Sequence, residues 1–237
     1  MRVSHSEAVF WPGCALMTLD PSILRAALAV LRRAEPALGI ASLCCGQPTR
    51  YLFPKLYVHR CQRVAALLAK NGVRRVYTAC PNCFAQLSEQ DVEVLPIWEA
   101  LRACLRPEDL HPSCGAAYAL HDPCPTRAQP AQQDAVRALL QAAGVAVLEP
   151  AHSGAHTRCC GNYHMLHTLD PAQSAQLREE RCAEFPEGHA ILSYCEGCLG
   201  AFRGEGRQTA HVLEVLFGAS KRRGWRNRIA FTLGKGR

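Results

Sequence analysis

The sequence predicts an α/β protein of two similar α/β lobes from an internal duplication, in a pseudo-two-fold arrangement, with cysteine sites at strand C-terminal ends. Two observations carry that expectation. The first is a repeat. Cys44-Cys45-Gly46 returns as Cys159-Cys160-Gly161, and Cys80-Pro81-Asn82-Cys83 returns as Cys195-Glu196-Gly197-Cys198, each 115 residues later. Pro12-Gly13-Cys14 answers Asp122-Pro123-Cys124 at an offset of 110. The second observation is an alternation of strand-like and helix-like segments in each half, the pattern that builds parallel sheets flanked by helices.

In chain order, residues 8–11 are an apolar run that reads as a short buried strand leading to Cys14. Residues 21–33 carry apolar side chains at the helical period, with Asp20 as N-cap and Pro21 at the first helical position. A second helix is expected over 55–70, closed by Asn71-Gly72, and a strand over 73–78 then runs into the first C-x-x-C. The second half repeats the plan: a strand over 116–121, helices over 131–143 and 171–184, the latter capped by Asp170, and a strand over 189–194. Proline and charge collect in RPEDLHPSC, residues 106–114, which marks the break between lobes. The expected organisation is a first lobe over 1–109, a second over 110–218 and a basic tail over 219–237. In open α/β sheets ligands gather beyond the carboxyl ends of strands, so cysteines far apart in sequence are expected to converge there.

Composition narrows the use of those cysteines. The chain has 237 residues, 49% of them hydrophobic and 20% charged, enough apolar material for a core without covalent staples. Its 14 cysteines are therefore anomalous. Disulfide-dense proteins are usually small, secreted and poor in core. Here no apolar run reaches the roughly 18–20 residues of a membrane span. The opening MRVSHSEAVFWPGC has neither the apolar core nor the cleavage site of a signal peptide. The expected location is the cytoplasm, and the expected use of the thiols is metal or redox chemistry. The formal net charge of +7 is matched by seven positives in the tail, Lys221, Arg222, Arg223, Arg226, Arg228, Lys235 and Arg237. Residues 1–218 are thus balanced, which argues against a nucleic-acid-binding body.

The full pattern is C-x29-CCG-x33-C-x2-C followed by C-x34-CCG-x33-C-x2-C. Two cysteines two residues apart can wrap one metal or cluster, and soft thiolates select iron–sulfur clusters, zinc or copper(I). A tetrahedral zinc or a cubane cluster needs four protein ligands, so sets of five leave one spare or imply an unusual cluster. Adjacent Cys44 and Cys45 cannot easily aim both sulfurs at one small ion, whereas a larger cluster offers two attachment points. Gly46 and Gly161 are expected to let the backbone pass close to the cluster. Pro81 suits the first turn of a helix beginning inside the C-x-x-C, whose amides favour an anionic thiolate site.

The motifs FWPGC, LCCGQ, TACPNC, HDPCPTR, RCCGNYH and YCEGC resemble the paired cysteine-rich CCG domains of heterodisulfide reductase B-like proteins and of the iron–sulfur components of glycolate, lactate and glycerol-3-phosphate oxidation systems. The resemblance covers roughly residues 8–217 and all ten motif cysteines. It implies one non-cubane [4Fe–4S] cluster on Cys14, Cys44, Cys45, Cys80 and Cys83, and another on Cys124, Cys159, Cys160, Cys195 and Cys198. It further implies an oxidoreductase subunit that splits a disulfide reductively. Some relatives hold zinc in such a site, so zinc at one of the two sites stays open. The chain lacks a C-x2-C-x2-C-x3-C run, so a separate electron donor is implied, a ferredoxin-type iron–sulfur or flavoprotein subunit. The alternative is a non-catalytic relay between a flavoprotein dehydrogenase and quinone, and a third reading is a zinc-stabilised scaffold.

Other features carry weaker expectations. Cys61, Cys104, Cys114 and Cys182 lie outside the pattern and are expected to be buried packing residues. His152, His156, His164 and His167 surround the second CCG motif. His156 and His164 are the candidate proton donors to a leaving thiolate, since imidazole titrates near neutrality; a solvated polar loop is the plainer reading. The tail mixes positive charge with Trp225, Ile229, Phe231 and Leu233, which suits peripheral contact with an anionic membrane, docking on an acidic partner, or a plain terminus.

Overall fold

Short apolar strands alternate with helices throughout the computed structural model, which describes residues 2–112 and 115–218 together with Gly224. The first lobe runs β1 (Arg2–Val3), β2 (Ala8–Trp11), α1 (Pro21–Leu31), β3 (Gly39–Ser42), α2 (Gln47–Leu52), α3 (Pro54–Lys70), β4 (Arg75–Thr78), α4 (Pro81–Leu87), β5 (Glu93–Pro96) and α5 (Ile97–Cys104). The second runs β6 (Ala117–His121), α6 (Pro130–Ala142), β7 (Ala146–Leu148), α7 (Leu166–Leu169), α8 (Pro171–Cys182), β8 (Ala190–Ser193), α9 (Glu196–Gly204), β9 (Thr209–His211) and α10 (Val212–Phe217). Described residues up to Leu105 form one compact unit and Arg106–Gly218 another. Cys114 and, apart from Gly224, the basic tail lie outside the described residues.

Each lobe is built on four parallel strands in the same order. The first has β3-β2-β4-β5 and the second β7-β6-β8-β9, with β1 added antiparallel beside β3 in the first. The chain steps from β2 outward to β3, then crosses back to β4. By the right-handed rule for parallel crossovers, helices on connections that run in opposite directions belong on opposite faces of the sheet. The reversal leaves a crevice at the carboxyl ends of β2 and β4, and of β6 and β8 in the second lobe. The repeat extends to packing, for α1 lies against α5 as α6 lies against α10.

The sequence explains these elements locally. Helix α1 buries Ile23, Leu24, Ala27, Leu28 and Leu31 on one stripe. Asp20 caps it by accepting from Ser22 N–H at 2.8 Å. Asp170 does the same for α8, accepting from Gln173 N–H at 3.0 Å. Helix α3 ends at Asn71, and Gly72 takes φ +70°, the left-handed turn that closes a helix. All four residues of β2 are buried, as a central parallel strand requires.

The departures from expectation are modest. Helix α1 stops at Leu31, short of 33, and α8 at Cys182, short of 184. Strands β3 and β7 precede the CCG motifs and were not anticipated, being only partly buried and without a continuous apolar run. Nor were the edge strands β5 and β9, which pass directly into α5 and α10.

Candidate metal centres

The motif cysteines lie on the loops that follow strands or on the helices those loops lead into. Cys14 follows β2, Cys44 and Cys45 follow β3, and Cys80 is the N-cap of α4, which carries Cys83. In the second lobe Cys124 follows β6, Cys159 and Cys160 lie on the loop after β7, and Cys195 caps α9, which carries Cys198. The turns into these helices are set alike. Thr78 Oγ1 accepts from Cys80 N–H and Ser193 Oγ from Cys195 N–H, both at 3.3 Å. These hydroxyls end β4 and β8, 115 residues apart, and extend the repeat beyond cysteine.

The thiols of each lobe form one connected set. In the first, Cys44 meets Cys14 and Cys45, Cys45 meets Cys83, and Cys83 meets Cys80. In the second, Cys159 meets Cys124 and Cys160, Cys160 meets Cys198, and Cys198 meets Cys195. The Sγ–Sγ distance is 4.0 Å for Cys124–Cys159 and 3.2 Å for Cys160–Cys198. Both exceed the roughly 2.05 Å of a disulfide, and none of the thirteen described cysteines is in a disulfide. Cys14, Cys44 and Cys159 are half-buried, while the other seven motif thiols are buried.

Crowding splits the thiols electrostatically. Cys44 is pushed down to about 2 by hydrogen bonds from Cys14 and then Cys45, against the cost of burial, with help from the Gly46 amide and Arg60. Cys159 falls to about 2 through Cys124 and Cys160, again against burial, with amides of Tyr163 and Gly161 assisting. Their neighbours move the other way. Cys45 rises because of its bond to Cys44, then burial, with Cys83 opposing; Cys124 rises through Cys159 and burial. So many thiolates cannot coexist in a small dry volume without a cation. A metal core deprotonates coordinating thiols outright and supplies the missing positive charge. Five soft sulfur donors per lobe therefore fit an iron–sulfur group, and four of them would fit zinc.

Glycine has a different role at each motif. Gly13 takes φ +90°, and a Cβ there would stand 2.7 Å from Cys80 Cβ and 3.3 Å from Cys83 Sγ. It is the residue that lets backbone approach the thiols, and the sequence reading did not single it out. The CCG glycine instead makes room for a helix. At Gly161, φ +79°, a Cβ would meet Ser174 O of α8 at 2.3 Å, and at Gly46 it would meet the Arg60 side chain at 2.9 Å. Ser174 Oγ also donates to Gly161 O at 2.7 Å, locking the CCG loop onto α8.

The second lobe adds a buried polar framework. Asp122 is fully buried and binds Arg137 through both oxygens, at 2.7 and 3.2 Å. Tyr194 Oη donates to it at 2.9 Å and Gly154 N–H at 2.8 Å. Burial raises the carboxyl, but Arg137 and these donors outweigh it and hold Asp122 below the usual carboxylate range. Thr157 Oγ1 donates to Asp122 O at 2.7 Å, and Arg127 donates to Thr157 O at 2.7 and 2.9 Å. The turn at Cys124 is thereby tied to the strand of chain that enters Cys159.

Next to Asp122, at the end of β6, His121 is also fully buried. One ring nitrogen of His121 and the sulfurs of Cys160 and Cys198 all lie within 4.8 Å of one another. Burial, then the Arg181 charge, pushes His121 down to about 3. The motif HDPC placed this histidine on view in the sequence, yet spacing alone gave it no distinction from the others.

The histidines singled out by sequence lie elsewhere. His156 sits exposed on a short turn over Gly154–His156. His164 is exposed at φ +56°, its ring tilted on Tyr163 at 3.9 Å between centroids. Of the cysteines outside the pattern, Cys61, Cys104 and Cys182 are half-buried rather than buried. Cys182 packs on the core that holds Cys160, Cys195 and Cys198.

The model of the cysteine-rich domain named CCG matches this chain twice, over residues 8–88 and 118–203. No curated protein matches it. Among solved structures it is similar to an aspartate racemase of Picrophilus torridus, at 11% identity and TM-score 0.35, covering 97% of this chain and 94% of that one. An aspartate racemase homologue from Pyrococcus horikoshii OT3 gives 12% identity and TM-score 0.29, covering 96% and 99%. Those likenesses are too loose to bear on the chemistry. The chain belongs to the CCG cysteine-rich domain family, with one copy of the domain in each lobe.

Proposed function

We propose that each lobe holds one iron–sulfur cluster through its five thiols and that the chain is the disulfide-reducing component of a heterodisulfide reductase B-like oxidoreductase. The observation that supports this best is the five-membered thiol chain, repeated in the same order in both lobes. Four thiols would serve zinc, and a fifth in continuous contact with them suits a larger, non-cubane core. When bound, such a core supplies one-electron redox capacity and an iron able to accept a thiolate.

The chain's own residues do the rest. The ten cysteines, Cys14, Cys44, Cys45, Cys80 and Cys83 with Cys124, Cys159, Cys160, Cys195 and Cys198, bind the two cores. Asp122 and Arg137 hold the turn at Cys124 against the chain leading to Cys159, and the CCG loops are braced by α3 and α8. The half-buried sulfurs of Cys14, Cys44 and Cys159 mark where each site opens to a thiol or disulfide substrate. His156 and His164, on the exposed loop around the second CCG motif, deliver protons to the released thiolate. Electrons come from a ferredoxin-type or flavoprotein partner.

Anaerobic isolation with iron, sulfide and zinc quantified, followed by electron paramagnetic resonance with and without added disulfide, tests the proposal. A disulfide-dependent change in the cluster signal supports it. Rapid reduction by a flavoprotein with no response to thiols or disulfides replaces it with a relay between a dehydrogenase and quinone. Colourless protein holding only zinc refutes both.

A further inference from the structure

His121 stands at the end of β6 with its two nitrogens in different situations. Arg181 Nε lies 3.2 Å from Nδ1. A guanidinium has N–H donors and no acceptor, so Nδ1 must carry the lone pair of that hydrogen bond. The proton of the neutral ring is then on Nε2. Nε2 is buried with no hydrogen-bond partner among the described residues. The ring cannot easily turn, because Phe185 and Phe202 stand edge-on to it at 6.1 and 5.0 Å, near 90° in each case. Arg181 is fixed in turn by Glu184 at 2.6 Å, by His152 O at 2.8 Å, and by the Phe185 ring 4.6 Å beneath its guanidinium.

Resting on the reading that the second thiol set binds a metal group, we propose that His121 donates an Nε2–H hydrogen bond to the sulfur of that group and is not a ligand to its metal. Arg181 is the positioning residue that holds the donor tautomer. Metal ligation would need a lone pair on Nε2 while Arg181 already occupies the one on Nδ1, leaving an imidazolate.

The first lobe supplies an independent check. Trp11 ends β2 at the matched position, 110 residues earlier, and its Nε1 is likewise buried without a hydrogen-bond partner among the described residues. Indole N–H can only donate. Both lobes therefore end this strand, three residues before the first cysteine, in a buried ring nitrogen with no partner among the described residues, and the indole cannot bind a metal. Hydrogen bonds to cluster or ligand sulfur draw off charge and favour the reduced state, so they raise the reduction potential.

Two measurements test the assignment. In protein labelled with 15N-histidine, a directly bonded proton should be found on His121 Nε2 and none on Nδ1. A proton on Nδ1, or a metal-coupled Nε2, overturns the proposal. In a potentiometric titration, His121→Leu should shift the second-lobe centre to more negative potential with metal content unchanged. His121→Gln, which restores an N–H in the same place, should recover part of the shift. Loss of metal from the second lobe in both variants, or an unmoved potential, overturns it. If the Leu variant does not fold, the labelled wild-type protein still decides. If the protein proves to bind only zinc, the iron–sulfur reading fails separately, and the tautomer in the zinc form decides the hydrogen bond.

Discussion

At the scale of single residues, the thiol sets make separable predictions. Cys45 and Cys160 are the buried central links of their sets, each touching the preceding cysteine and the C-x-x-C. Changing either to Ser should empty one lobe and leave the other loaded, so each variant is expected to retain about half the metal of the parent, read by elemental analysis. Asp122→Asn removes the carboxylate charge from a buried ion pair. The expected cost is about 3 kcal/mol, the low end for such a loss, because Arg137 keeps Glu149 at 2.7 Å. Denaturant unfolding of the metal-free protein checks it. Gly161→Ala forces a side chain into the left-handed region and against Ser174 O. About 1–2 kcal/mol of backbone strain adds to about 1–3 kcal/mol of overpacking, and stability should fall by the sum.

The motif cysteines were legible in the sequence because spacing alone reveals them. His121, Arg181, Asp122 and Gly13 were not, since their significance arises only where strand ends converge. His121 shows the limit well. It lies three residues before Cys124 in plain view, but its meaning depends on Arg181, 60 residues away. The cluster of loop histidines drew attention by number, and His156 and His164 prove to be exposed.

At the scale of elements, the strongly periodic helices and the central strands were readable, for their burial follows apolar pattern. Helix α8 was found by its cap and length, yet its buried residues are Ser174 and Arg181 rather than an apolar stripe. It is held by hydrogen bonds to Gly161 O, His121 and Glu205, which no hydropathy pattern encodes. The strands β3, β5, β7 and β9 were missed for the opposite reason: they flank the central strands, are only partly buried, and lack the continuous apolar run that marks β2 and β8. Because α8 braces the second CCG loop, weakening it should be felt at the site. Asp170→Ala is expected to cost about 1 kcal/mol of stability by thermal unfolding and to speed release of metal from the second lobe to a chelator.

At the scale of the whole molecule, duplication is the organising fact. Matched strand order, matched helix pairing, matched hydroxyls at Thr78 and Ser193, and matched thiol contacts show one architecture used twice. The copies have also diverged. The first adds β1 and places Trp11-Pro12-Gly13 where the second has His121-Asp122-Pro123, exchanging a glycine approach for a buried polar framework. If both thiol sets hold the clusters of the proposed function, their different surroundings are expected to give them different potentials. Among the described residues no helix is long and apolar enough to cross a membrane.

The most direct test of the central claim is the iron and acid-labile sulfide bound per chain after anaerobic isolation. Two non-cubane [4Fe–4S] groups predict about eight irons with zinc absent or minor, and a fall to about half in either Cys45→Ser or Cys160→Ser. Iron-free protein carrying stoichiometric zinc, or a metal content unmoved by either substitution, would contradict the account.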